Sequence, residues 1–568
     1  MPLQLSFRYS AAVFPISIFL RASAGLGILA AAACADASSR AEAPEPESFY
    51  TVTAEIALAR GEARIAALQY EAAAKRYADL APRAADVAAL CLQPTLEANI
   101  AAGWLRAEPR SIDAHRAAGA AALALDRIDQ AAEFYHFALA NAADGAEAQF
   151  TRLDAELRAT DNVFGARRLA DRLAGWYPAS PAALRMQGFA ALRADDPAAA
   201  VRSFQAVLAL SGVAAETRRE LAEALQRARV IAGDLGALEE LQAKARGGTP
   251  ADRLDYALLL VTAHRDEEAR AQLTELATDP ATRPAALRVL GLLEFQQGHW
   301  DAAGARFTEL VTTGRDVDDS FYYLGLVAER HDDPERALRL YARVQNGGFV
   351  TAAILQAAAI LHAHGAPDEA DHLLDQLAED EPDRVPEVLS ARARVYAEGG
   401  DVRRALATLE RGLAEYPDSV ELRYARASHY DDAGQSADAL RELSQIARLR
   451  PEDPAALNAL GYTLADHSRE LARARALIER AHAAAPTNAA FRDSLGWVVY
   501  RQGHAAEALP ILAQAYDDDR DGDIAAHLGE VLWRLGKTAE AERIWTQASQ
   551  AEPDNRLIKS TRLRLHVQ

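Results

Sequence analysis

Three groups of side chains have the types and spacing to do chemistry. Asp517-Asp518-Asp519-Arg520-Asp521-Gly522-Asp523 opens like a calcium loop, with acids first, third and fifth and glycine sixth. The twelfth position needs glutamate and holds Leu528, so the run reads as a solvated turn. His362, His364 and His372 gather with Asp368, but histidines two apart lie on different faces of a helix, which argues against a metal site. Cys34 and Cys91 are the only cysteines, too few for a disulfide framework or a four-ligand zinc site. No Gly-x-Ser-x-Gly, HExxH, phosphate loop or paired-cysteine motif occurs. The expectation is a protein that is not an enzyme and takes no cofactor or metal, with Cys91 a small buried residue.

The elements that carry these residues must fit 568 residues with 62 Lys+Arg against 82 Asp+Glu, a net charge of −20. The pI near 5.2 argues against a nucleic-acid partner, which requires a basic stripe. Length alone suggests about four domains at roughly 150 residues each, unless the chain is a repeat array.

Residues 1–33 carry Arg8 and Arg21 and no acid, and Ala22 to Ala33 is small and apolar throughout. That is the pattern of a secretory signal peptide. Ala31-Ala32-Ala33-Cys34 resembles the lipobox of bacterial lipoproteins, in which the cysteine is acylated and becomes the first residue. The third place before Cys34 is Ala31 where leucine is usual; Leu29 comes two residues early. Ordinary cleavage and an uncleaved anchor are the alternatives, the latter placing Arg21 in the bilayer at roughly 2.5–3.5 kcal/mol. Ala35 after the cysteine implies the outer membrane by the sorting rule of such lipoproteins, although Asp36 follows it. Residues 34–49 read as a solvated tether. Loss of Arg8 and Arg21 takes the mature charge from −20 to −22.

From residue 50 a period governs the chain. Glycine precedes alanine by five at Gly61/Ala66, Gly298/Ala303, Gly365/Ala370, Gly400/Ala405, Gly434/Ala439, Gly503/Ala508 and Gly536/Ala541. The alanines of the C-terminal half stand at 303, 337, 370, 405, 439, 474, 508 and 541, in steps of 33 to 35. Four residues on comes a bulky residue, among them Phe307, Tyr341 and Trp545; twelve on, proline is frequent, as at Pro382, Pro417, Pro451, Pro486 and Pro553. Twelve before come Leu-Gly pairs ending at Gly291, Gly325, Gly496 and Gly529. The glycine five before the alanine ends a first helix in the left-handed conformation, and small residues let a second helix pack closely. The N-terminal half is degenerate, with equivalents at Ala66, Ala98, Ala131, Ala166, Ala200, Ala237 and Ala269. The steps of 37 and 32 around Ala237 put a register slip at 211–250, with a joint at Gly247-Gly248-Thr249-Pro250.

This pattern resembles the tetratricopeptide repeat (TPR). The resemblance implies an all-α solenoid, a right-handed superhelix of about fifteen helix-turn-helix units. Residues 50–250 form the degenerate array, 251–553 the regular one, and 554–568 a C-terminal capping helix. In such arrays the first helices line a concave surface. Counting the conserved small residue as eight, the inward places are five, nine and twelve. They select Arg288, Phe295, Tyr322, Tyr424, Asn458, Tyr462, Asp493, Trp497, Tyr500 and Trp533, with Arg501 and Arg534 beside them. Aromatics and arginines suit protein-binding anchors; packing between neighbouring helices is the alternative for each. The Lys/Arg/Asn constellation that clamps peptide carboxylates in chaperone-binding members is not recognisable.

The opening Phe49-Tyr50-Thr51-Val52-Thr53-Ala54-Glu55-Ile56-Ala57, with Gly61 and Ala66, and the layout from Cys34 onward resemble outer-membrane lipoprotein adaptors of carboxy-terminal processing proteases, the LbcA kind. That resemblance implies a periplasm-facing lipoprotein whose partners are a serine protease and its substrates, such as cell-wall hydrolases. TPR lipoproteins of polysaccharide export or outer-membrane assembly are the alternative, and a soluble periplasmic protein is the alternative location.

Overall fold

A computed structural model describes residues 47–552 and 555–566. Residues 1–46, with the signal peptide, Cys34 and most of the tether, lie outside them. The described residues form thirty-one α-helices, two short 3-10 turns and no strand. None of these helices is long and apolar enough to cross a membrane.

The helices fall into fifteen antiparallel pairs, here units 1 to 15, and a final helix Arg556–Arg564. The units used below are unit 1 (47–76), unit 2 (81–107), units 3 to 5 (112–209), units 6 to 10 (215–380), unit 11 (385–415), unit 12 (420–449), unit 13 (454–484), unit 14 (489–518) and unit 15 (522–551). The first helix begins at Glu47, so Glu47, Ser48 and Phe49, read above as tether, are helical.

Outside unit 2, the pairs are held by the small-residue crossing that the spacing predicts. Ala131, Ala200, Ala303 and Ala541 are fully buried. A Cβ built on Gly291 would come within 2.8 Å of the Phe307 ring, and Gly529 faces Trp545 more tightly still. The glycine five before the alanine has positive φ, +70° at Gly61 and +86° at Gly400. Where glycine is missing another residue takes that conformation: Asp126, Asp195, His264 and Asp332 lie at φ +54° to +58°. Aspartate and histidine tolerate it better than most side chains.

Unit 2 corrects one alignment. Its left-handed residue is Leu92, at φ +53°. Five residues on stands Glu97, not Ala98; Glu97 is 6% exposed, whereas Ala98 is half-buried. A carboxyl group therefore occupies the crossing that alanine fills elsewhere. The slip at 211–250 also has a local cause. The first helix of unit 6, Ala215–Ile231, has 17 residues where 13 or 14 is usual, and Asp266–Leu276 is short at 11. The Gly247–Pro250 joint is a tight turn: Thr249 and Asp252 cap the next helix reciprocally, with Pro250 at its first position.

The last helix covers the end of the array. Ile558 and Leu565 join the cluster around Trp545, and Arg564 donates to both oxygens of the buried Glu530, at 2.9 and 2.5 Å.

A solenoid unit ordinarily touches only its neighbours. Here one coil of the superhelix rests on another. The Arg64 amide donates to Glu415 Oε1 at 2.6 Å, and Gln93 Nε2 donates to the Glu415 carbonyl at 2.8 Å. The Thr95 amide donates to Asp418 Oδ2 at 3.3 Å, and Thr487 Oγ1 to the Asp195 carbonyl at 3.1 Å. Ala63 and Leu92 pack against a core of units 11 and 12; Phe164 packs against Leu457 and Phe491. The edge of units 1 to 5 thus meets the edge of units 11 to 14, with partners 292 to 351 residues apart in the chain.

Candidate functional site: the inner helix row

The residues selected by position lie on the first helices of their units, and the structure sorts them by exposure. Phe295, Tyr322, Tyr424, Asn458, Tyr462, Tyr500, Arg501 and Trp533 are half-buried; Arg288 and Arg534 are exposed. Asp493 and Trp497 are buried, at 6% and 2% exposure, and offer no open surface. Phe295 and Tyr322 spend part of their rings on neighbours: Phe295 meets Trp300 edge-on at 5.0 Å, and Tyr322 stacks on Phe349 at 4.6 Å. Trp533 faces Trp545 at 6.1 Å.

Units 13 to 15 build a polar cluster into this row. His527 Nδ1 lies 2.8 Å from Asp493 Oδ2, and its Nε2 lies 3.3 Å from Tyr462 Oη. Its ring stacks on Trp497 at 4.1 Å. Burial pulls the His527 pKa down, but Asp493 outweighs it and the imidazole titrates above its ordinary value. Tyr500 donates to Glu530 at 3.0 Å, joining the Arg564 pair. Arg501 covers Trp497 at 5.3 Å while donating to Asp466 and Ser468.

The helix order explains why these side chains converge. Successive first helices stand side by side, so position five of units 12, 13 and 14 forms one line: Tyr424, Asn458, Asp493. Tyr424 Oη, Asn458 Oδ1, Asp493 Oδ1 and Trp497 Nε1 are buried and have no partner among the described residues. Buried donors and acceptors left unpaired cost roughly 1–3 kcal/mol each, so these four burden the packing of units 12 to 14 and present nothing to solvent.

Position counting missed His527 and left Glu530 unnamed. Glu530 follows Gly529, the ninth position by the rule that selected Tyr462 and Trp497, so its placement was available. His527 stands at the sixth position, and only the packing against Trp497 brings it in. Asp521, from the acidic run, caps the helix Gly522–Arg534. Among the described residues no group of three or more His, Cys, Asp or Glu side chains converges as a metal site, and His362, His364, His372 and Asp368 form none.

Comparison with known proteins gives the repeat its name. The family described as tetratricopeptide repeat matches residues 288–353, 396–461 and 494–556. TPR repeat-containing protein PA4667 of Pseudomonas aeruginosa is 36% identical over 214 residues, 38% of this chain. The match spans 36% of that relative's length. Among solved structures, TTC0263, a thermophilic TPR protein of Thermus thermophilus, is 21% identical over 32% of this chain and 96% of its own, with a TM-score of 0.28. MamA from Desulfovibrio magneticus is 21% identical over 30% and 97%, with a TM-score of 0.24. The chain carries tetratricopeptide repeats, arrayed as an all-α solenoid.

Proposed function

We propose that this protein is a non-catalytic, periplasm-facing scaffold, held at the outer membrane through acylated Cys34, that binds a carboxy-terminal processing protease and presents its substrates. Protein interaction is the general role of such repeats. The finer reading rests on the lipobox-like Ala31–Cys34, the opening segment from Phe49 and the long acidic array. The observation that carries binding to the inner row is its open C-terminal end, where the first helix of unit 15 leaves Trp533 half-buried and Arg534 exposed. A partner segment laid along the row would meet Trp533 and Arg534 there as an aromatic and a cationic anchor. Two proteins held on one solenoid meet at high effective concentration, so the scaffold need not alter the protease's chemistry.

Pull-downs from envelope extract, with wild type and with Trp533→Ala/Arg534→Ala, test this. Wild type should recover a serine protease, and loss of true anchors should weaken binding by about 2 kcal/mol or more. Trp497→Ala is unsuitable, because truncating a buried tryptophan costs about 3–5 kcal/mol of stability. Recovery of no protease rejects the adaptor reading in favour of a general envelope scaffold. Equal recovery by both proteins moves the contact surface elsewhere. Cys34→Ser should release the protein from membranes or block its processing.

A further inference from the structure

The contact between coils has features of a closure rather than of a core. Two helices whose own N-terminal residues supply no side-chain cap, Ala63–Arg76 and Pro94–Ala107, receive their acceptors from across it. Glu415 reaches the Arg64 amide and Asp418 the Thr95 amide, each the second residue of its helix. Carboxylates suit such sites, because helix N-termini present free amides and a positive dipole end. Each coil keeps its own core whether or not the edges meet, since the apolar clusters are built largely from adjacent units and, among the described residues, only Ala63, Leu92 and Phe164 reach over. Like charges also confront one another here. Asp161 adds to the field at Glu387 and Glu421, and Asp453 to that at Asp126, with Arg450 opposing it. The contact thus combines exchangeable caps with repulsion and little apolar area.

We propose that the edge between units 1–5 and units 11–14 is a reversible latch. Closed, Glu415 and Asp418 cap the two N-terminal helices and one coil sits on the other. Open, units 6 to 10 act as the spring between two intact arcs, and the superhelix lengthens to take a protein along its inner face. Opening is a local event with its own free energy, below that of unfolding any unit.

Hydrogen exchange and small-angle scattering on the full chain decide this. In the wild type the Arg64 and Thr95 amides should exchange at least tenfold faster than mid-helix amides of Pro454–Asp466. Glu415→Lys/Asp418→Lys puts cations at the two helix N-termini; it should raise exchange there a further tenfold and increase the radius of gyration, with helicity unchanged. Thr95→Cys/Asp418→Cys, joined by a short bis-maleimide in a Cys34→Ser/Cys91→Ala background, should slow the same amides and hold the compact form. Core-like protection at Arg64 and Thr95 in the wild type overturns the latch. So does a folded lysine variant that stays compact. Should that variant fail to fold, the cross-linked protein decides: slowed exchange upholds the latch and unchanged exchange removes it.

Discussion

Unit 2 puts Glu97 where unit 15 puts Ala541. Both residues sit at the crossing of two helices, and both crossings close. In unit 15 the closure is local: Gly529 admits the Trp545 ring, Gly536 turns the chain at φ +80°, and the last helix covers the end. In unit 2 the turn is made by Leu92 at φ +53°, a conformation costly for a branched side chain, and the crossing buries a carboxyl. Unit 2 is also one of the units that lean on another coil: Leu92 packs on the Ala393–Leu422 core and Gln93 holds the Glu415 carbonyl. Unit 15 is closed by itself and its neighbours, whereas unit 2 also draws on contacts that lie about ten units away.

The comparison is broken most forcefully in the regular half. Trp545 is fully buried, so Trp545→Ala should cost about 3–5 kcal/mol. The loss should stay in units 14 and 15 and the final helix, read by segmental hydrogen exchange; uniform loss through unit 2 would contradict self-sufficient units. Next comes Glu97, whose pKa burial, then Asp86 and Glu156, push up to about 8. The folded unit holds a proton that the unfolded chain releases near 4.5. Folding is thus unpenalised below about pH 4.5, weakens as pH rises to about 8 and bears the full cost above. Glu97→Ala should stabilise unit 2 at about pH 8 by an amount on the order of a few kcal/mol, with the gain absent below about pH 4.5. Thermal melts across that range check it, and a gain independent of pH would refute it.

Smaller effects sharpen the contrast. At Gly400 a Cβ meets nothing within 4 Å, so Gly400→Ala should cost only the left-handed backbone term, about 1–2 kcal/mol. Leu92→Gly should recover less than that, because it gives up the contact with the other coil. Gln93→Ala should cost about 1 kcal/mol and raise exchange in unit 2 while units 12 to 15 stay as they were.

Much of this is legible in the amino-acid sequence. The alanine period placed the crossings, and the glycine five residues earlier placed the left-handed turns. The degenerate half was harder because a left-handed residue need not be glycine: Asp126, Asp195 and Leu92 make the same turn without its signature. That is why the alanine period points to Ala98 where the crossing is Glu97. The inner row was legible as positions but not as exposure. Trp497 looks like an anchor by place and type, yet His527 and Arg501 close over it.

The residues alone set what lies within one unit and between neighbours: helix, turn, crossing, and the order of units along the chain. Those depend on backbone preference and on side chains no more than about one repeat apart, where the period writes the contact directly. Tertiary structure alone decided the closed edge at Glu415 and Asp418, and which inner residues remain accessible. Each unit is rotated only slightly against the next, and whether Arg64 meets Glu415 depends on the sum of some ten such rotations. That sum includes the extra turn in Ala215–Ile231 and the short helix Asp266–Leu276 in the next unit. No single repeat encodes that sum, so the meeting of the coils is a property of the assembled solenoid.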